Sequence, residues 1–190
     1  MTIIKDDDWM SRKELEAAGF DYLGKDVKVS RHALIYGPEK KRLWDHSIIR
    51  AGAQIHHGKF ELGFYSAIGA GAIIICAGVE VFIHNFCGVG PGAILLSATD
   101  DFKGAALVGP AHQEPFRRVI KRYIFLDQFS IVGAGAILLP GTCLREGAVV
   151  GAGRKVSGIQ KPWLIDGKTP RPKEAIIALA DARVKLDSET

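Results

Sequence analysis

Every sixth residue from Leu126 to Val156 is a branched aliphatic: Leu126, Val132, Leu138, Leu144, Val150 and Val156. Gly and Ala crowd the gaps between them in IVGAGAILLPGTCLREGAVVGAG, residues 131–153. A helix wants apolar residues at i, i+3, i+4 and i+7, and a half-buried strand wants strict alternation. A period of six comes from neither. It fits a chain that turns a corner every six residues and buries one residue on each flat side. Three sides make a coil, and stacked coils set aliphatic on aliphatic. The pattern therefore predicts an all-β solenoid, a parallel β-helix of hexapeptide repeats. The 22 glycines suit its tight corners.

The same period runs through Leu23, Val29 and Ile35, then Leu43, Ile49 and Ile55, then Leu62, Ile68 and Ile74, then Ile83, Val89 and Leu95. It is interrupted at YGPEKKR, at GKFE and at CAGVEVF. Roughly six coils at ~4.8 Å each predict a stack about 30 Å tall. Between about Thr99 and Tyr123 the pattern disappears, which predicts an ejected loop over 99–123. A stretch of that length without periodicity in a compact domain is usually functional. It holds Asp100, Asp101, His112 and the basic run Arg117, Arg118, Lys121, Arg122. That run could face a nucleotide diphosphate, or it could be a solvated charged face.

A short helix is expected over residues 8–19, because Ser11 and Glu14 have capping-box spacing and Gly19 suits the far end. A second helix is expected in RPKEAIIALADARVKL, with Ile176, Leu179 and Val184 along one face. Together these elements predict an N-terminal helical cap (1–22), a β-helix with its loop (23–160), and a C-terminal linker and helix (161–190). The tail is expected to cap the far end of the stack, since a solenoid needs both ends covered.

Net charge is +4, with Lys and Arg spread along the chain. That suits an anionic small ligand better than nucleic acid, and no aromatic residues interleave with the basic ones. Three cysteines without a C-x-x-C argue against a disulfide framework or zinc knuckle. Neither a signal-peptide pattern nor an apolar run of membrane-spanning length is present, so a cytoplasmic protein is expected. The histidines are at 32, 46, 56, 57, 84 and 112. No two are five apart, which argues against the three-histidine metal site that γ-type carbonic anhydrases typically carry on the same fold, and no metal is expected.

The hexads, the loop ejected after GVGPGAILLSATDD, the return at LDQFSIVGAGAILLPGTCLREGAVVGAG and the following KPW resemble the hexapeptide-repeat acyltransferases. The nearest branch is the sugar O- and N-acetyltransferases of bacterial surface-polysaccharide pathways, relatives of galactoside acetyltransferase. The resemblance covers residues 23–173. It implies a left-handed β-helix and a homotrimer with active sites between subunits. It also implies acetyl-CoA as co-substrate and a sugar or nucleotide-sugar as acceptor. The galactoside-type enzymes carry a loop histidine as base near the position of Asp100, and this chain has SATDD there. The candidates for proton transfer are therefore Asp100, Asp101, His112 and His84, the last placed at a repeat corner in IHNFCG. Each has a plainer role available: a turn anchor for the aspartates, a solvated or corner residue for the histidines. The resemblance puts acetyl-CoA along the C-terminal corners, at Ala134, Gly135, Ala152, Gly153, Arg154 and Lys155. Ser157, Lys168 and Arg171 follow at positions expected to meet phosphate. Gly-Ala-Gly is equally what a tight coil needs. A catalytically lapsed trimeric scaffold stays open, because SG (Ser157, Gly158) and DGKT (Asp166–Thr169) depart from the family's pattern at the cofactor end.

Overall fold

The computed structural model describes residues 8–189. The first seven residues of the expected N-terminal cap lie outside the described residues. The chain winds into a three-sided parallel β-helix. The first face stacks seven strands from Tyr22–Leu23 to Ile159–Gln160. The second runs from Lys28–Val29 to Leu164–Ile165, with Thr169–Pro170 added antiparallel at its end, and the third from Leu34–Ile35 to Lys155–Val156. The edge between first and second faces is called the front edge, that between second and third the side edge, and that between third and first the rear edge.

The period-six aliphatics stack in register. Leu23, Leu43, Leu62, Ile83, Leu126 and Leu144 form one column inside the first face. Val29, Ile49, Ile68, Val89, Val132 and Val150 form the second. Ile35, Ile55, Ile74, Leu95, Leu138 and Val156 form the third. Most are fully buried, and each such side chain stabilises the fold by about 1.5–3 kcal/mol. Beside the second column sit Ser47, Ser66, Cys87 and Ser130, all buried. Residues this small let neighbouring coils approach. Ser66 and Cys87 also bind the next turns, the hydroxyl to His84 O at 2.6 Å and the thiol to Asp127 O at 3.1 Å.

Helix α1 (Arg12–Ala17) has Ser11 as its N-cap and a complete Ser11–Glu14 capping box. Its Leu15 is buried against the end of the core. Helix α2 (Lys173–Ser188) does not cap the opposite end. It turns back along the front edge, with Lys173 beside Trp163 near the last coil and Asp187 bound to Tyr65 lower down. The reason lies in an aromatic ladder on that edge. His46, Tyr65, Phe86 and Phe129 all take left-handed backbone angles, φ 54° to 62°. Their rings stack at 4.7, 5.1 and 5.3 Å. Trp163 continues the series over Gly147, where a Cβ would come within 2.4 Å of the indole. A ladder of rings offers apolar surface that no β-strand covers. The helix meets it through Ala180, its buried residue, flanked by Ile176 and Arg183. Leu179 and Val184, both expected on the packed face, are 72% and 42% exposed.

Among the described residues, one charged side chain lies inside. Lys41 is fully buried on the first face, beside Phe60 in register. Its Nζ donates to His56 O at 2.7 Å and to Gly58 O.

Candidate active site

All interruptions of the period fall on one edge. The breaks between Ile35 and Leu43, Ile55 and Leu62, Ile74 and Ile83, and Leu95 and Leu126 each join a third-face strand to the next first-face strand. The rear edge therefore carries all the extra chain, the ejected loop included. Repeat proteins place insertions on the face they use.

The loop leaves and returns as a two-stranded antiparallel arm, Ala98–Asp100 against Val119–Lys121. The arm holds both carboxylates. Asp100 accepts from Arg117 Nε at 2.6 Å and from Gly109 N at 2.9 Å. The Arg117 hydrogen bond, with help from Gly109, holds its carboxyl below the usual range. Asp101 accepts from the backbone N–H groups of Lys103 and Gly104, both at 3.1 Å. Its other oxygen lies 3.6 Å from Arg118. Half of the basic run is thus consumed inside the arm. His112 is exposed at the far end of the loop, its backbone N–H bonded to Gly109 O at 3.2 Å.

Arg122 and Lys121 turn the other way, into a cavity of about 840 Å³ on the rear edge. Lys40, Lys59 and Glu80 join them from the first-face side. Sequence reasoning missed Lys40 and Lys59, although both sit in interruptions of the repeat, YGPEKKR and GKFE. The shared position of those breaks in the coil was the available signal.

The remaining candidates stand on other edges of the same chain. His84 is on the front edge, half exposed, with its ring 5.3 Å from Phe125 and Nδ1 4.0 Å from Asp127. Ala134, Gly135, Ala152 and Gly153 form a stack of exposed corners on the side edge. Their neighbouring glycines have a structural duty. A Cβ on Gly133 would sit 2.4 Å from Ala152 N of the coil above, so only glycine permits the stacking. Arg154 is exposed near Asp166, at 3.9 Å. Lys155 lies outward on the third face and Ser157 just beyond it. Lys168 sits in the turn between Leu164–Ile165 and the antiparallel strand Thr169–Pro170, its N–H on Ile165 O.

Arg171 is used differently from the expectation. Its Nη1 donates to Phe129 O and Gly147 O, both at 2.7 Å, and the guanidinium lies over Trp163. Burial pulls its pKa down. This arginine ties the C-terminal segment to the front edge. Arg171→Ala should therefore cost about 2–4 kcal/mol of stability through two charge-assisted hydrogen bonds, while acyl-CoA affinity stays as in the wild type. Thermal unfolding beside a cofactor titration checks both halves.

Among the described residues, no three His, Cys, Asp or Glu side chains are placed to hold a metal ion. No helix there is long and apolar enough to cross a membrane.

No protein-family model matches the sequence. The chain is 25% identical over 150 residues to the dTDP-4-amino-4,6-dideoxy-D-glucose acyltransferase of Escherichia coli, covering 76% of each. It superposes on the crystal structure of AntD, an N-acyltransferase from Bacillus cereus in complex with dTDP and 3-hydroxybutyryl-CoA. The TM-score is 0.90 at 28% identity, over 95% of this chain and 98% of AntD. The chain is a hexapeptide-repeat sugar acyltransferase. Its solenoid is a left-handed β-helix, as in these structural neighbours. The maltose O-acetyltransferase of Clostridium difficile 630 shares the fold, with a TM-score of 0.54 and 14% identity over 85% of this chain and 72% of that one. The acyltransferase uses an acyl-CoA as co-substrate.

Proposed function

We propose that this acyltransferase moves an acyl group, such as acetyl, from its CoA thioester to the amino group of a nucleotide-linked deoxysugar. The observation that carries the reading is the match to AntD over nearly the whole of both chains. One AntD structure holds dTDP-4-amino-4,6-dideoxyglucose and coenzyme A. The chemistry of the loop favours an amine over a hydroxyl. A sugar hydroxyl needs a strong base to become a nucleophile, and the carboxylate nearest the family's base position, Asp100, is held below its ordinary pKa by Arg117. A neutral amine attacks a thioester without prior deprotonation. The proton is shed only as the tetrahedral intermediate forms, and a corner backbone N–H meets the oxyanion.

In this reading the protein works as a homotrimer. Within one chain the candidates are spread over three edges, and packing against a second copy brings one copy's side edge to the other's loop. Phe102 and Phe116, 74% and 67% exposed on the loop, supply apolar surface for that contact. Acyl-CoA then lies along Ala134, Gly135, Ala152 and Gly153, with Arg154, Lys155, Ser157 and Lys168 toward its anionic end. His112, Asp101 and His84 are the groups left to accept the proton. Use of acyl-CoA and three unpaired cysteines fit a cytoplasmic enzyme that prepares sugars for surface polysaccharide.

The test is thiol release from acetyl-CoA and 3-hydroxybutyryl-CoA. Release is expected with dTDP-4-amino-4,6-dideoxyglucose and not with maltose. Release with maltose alone would replace N-acylation by O-acylation. Silence with both acceptors would favour a lapsed scaffold.

A further inference from the structure

The outward side of the third face has no role in the chemistry above. Three successive strands there are runs of aliphatics: Ile73–Ile75, Ile94–Leu96, and Ile137–Leu138 continued by Leu139. In each run the middle residue is buried in the core, while the two beside it stay partly exposed. A strand with water on its outer side alternates apolar and polar residues. An unbroken apolar run marks a strand covered on both faces. Here the inner cover is the core, and the outer side is open to solvent in the single chain.

The six outer side chains form two rows. Ile73, Ile94 and Ile137 pair in register across neighbouring coils. Ile75 pairs with Leu96, and Leu139 follows in the next coil. Polar residues border the block: Gln54 and His56 in the coil below, Lys155 and Ser157 in the coil above. An apolar centre inside a polar rim is the anatomy of a protein–protein interface. The other two faces lack it. Charge interrupts the first face at Arg42, Glu61, Asp127 and Arg145. The second face has glycine at 69, 90 and 133, where the neighbouring coil leaves no room for a side chain.

The borders of this face say what covers it. Each third-face strand begins at a side-edge corner and ends at the rear edge. Residues 90–92 lead into Ile94–Leu96, which runs through Ser97 into the loop arm Ala98–Asp100. The candidate cofactor corners and the loop therefore stand on opposite borders of one apolar face. Copies of this chain related by rotation about an axis parallel to the stack, with third faces inward, set the side edge of one against the rear edge of the next. Such closed symmetry is the usual arrangement of identical chains. An unrelated protein on the same face leaves the two borders apart, and an antiparallel copy sets side edge on side edge. We propose that the third face is the contact between parallel copies of this chain, with the row Ile73, Ile94, Ile137 at its centre. This inference deepens the acyltransferase reading, on which it rests for the roles of the two edges.

The test is mass in solution, read by light scattering on full-length protein over a range of concentrations. Wild type should run at a multiple of the single-chain mass. Ile94→Lys should run as a single chain with unchanged circular dichroism, its association weakened about a hundredfold or more, as a charge at the centre of a desolvated contact requires. If Ile94→Lys does not fold, Ile137→Ser in the adjoining coil replaces it, with about a tenfold weakening expected. Ile131→Lys, on the exposed side of the second face, should assemble as wild type does. A single-chain wild type, or folded Ile94→Lys and Ile137→Ser that assemble like wild type, overturns the interface. So does dissociation by Ile131→Lys alone. The parallel arrangement has its own readout. Arg117→Met damages only the loop, and Ala152→Trp only a side-edge corner. Co-expressed, the two should recover about a quarter of wild-type thiol release, because neighbours supply the intact corner and the intact loop each half of the time. A mixture no more active than the separate variants overturns the parallel arrangement. Wild-type thiol release is scored separately. If it is absent while the masses behave as expected, the acyltransfer reading falls and the interface stands. If it is present in a single-chain wild type, the interface falls and the reading stands.

Discussion

Lys41→Ala should lower the unfolding free energy by about 3–5 kcal/mol, the largest stability loss expected from one charged residue here. The side chain is fully enclosed, and its ammonium group satisfies the carbonyls of His56 and Gly58. Truncation leaves a void and strands two buried acceptors. Lys41→Met separates these causes. It refills the volume, leaves the carbonyls without a donor, and should cost about 1–3 kcal/mol. The pH dependence carries the sign of the burial. Desolvation pushes the Lys41 pKa below its ordinary value of 10.5. Between the depressed native value and 10.5 the unfolded chain binds more protons than the folded one, so stability rises with pH across that window and is lost as pH falls through the native value. Urea unfolding of wild type and Lys41→Met should therefore diverge in favour of wild type as pH rises toward 10.5. A constant difference would mean that Lys41 keeps its proton in the core as readily as in water.

Lys41 also marks where sequence reading stops. The three aliphatic columns were legible in full, because a coil that buries one residue per side cannot hide a period of six. The loop and both helices were legible for the same reason, as places where that period fails or changes. Lys41 was not. A lysine in KKRL reads as a solvated charge, and only the extra residues at HHGKF, which leave carbonyls pointing inward, call for a buried donor. Arg171 shows the converse. The resemblance assigned it to a phosphate, but a guanidinium serves carbonyls and an indole face equally well, and the aromatic ladder that claims it is assembled from residues in five separate coils. At Gly133 two demands coincide. The cofactor corner and the close stacking of coils both ask for glycine, so the letter alone cannot separate them. The rear-edge cations were present in the sequence at the interruptions, but their convergence required knowing that all interruptions share one edge.

Replacing either Asp100 or Arg117 should reduce kcat/KM about a hundredfold, and replacing both should do little further harm. The two residues form one unit at the neck of the loop, 2.6 Å apart and partly buried, with Gly109 N–H completing the carboxylate's partners. In this geometry Asp100 is a positioning residue, and losing it frees an arm that must set the loop against a substrate. Misplacement of about 1 Å can cost a hundredfold. A catalytic base predicts another pattern. Arg117→Met would raise the Asp100 pKa, making it a stronger base, and the pH–rate profile would gain an ionisation moving with that substitution. An anchor predicts equal losses for Asp100→Asn and Arg117→Met, a strongly non-additive double variant, and no new ionisation in either. Because Arg117 keeps the carboxyl below its ordinary value, the wild-type profile should also stay free of an Asp100 ionisation well into acid. Activity of Arg117→Met above that of Asp100→Asn, with a rising acid limb, would make Asp100 the base.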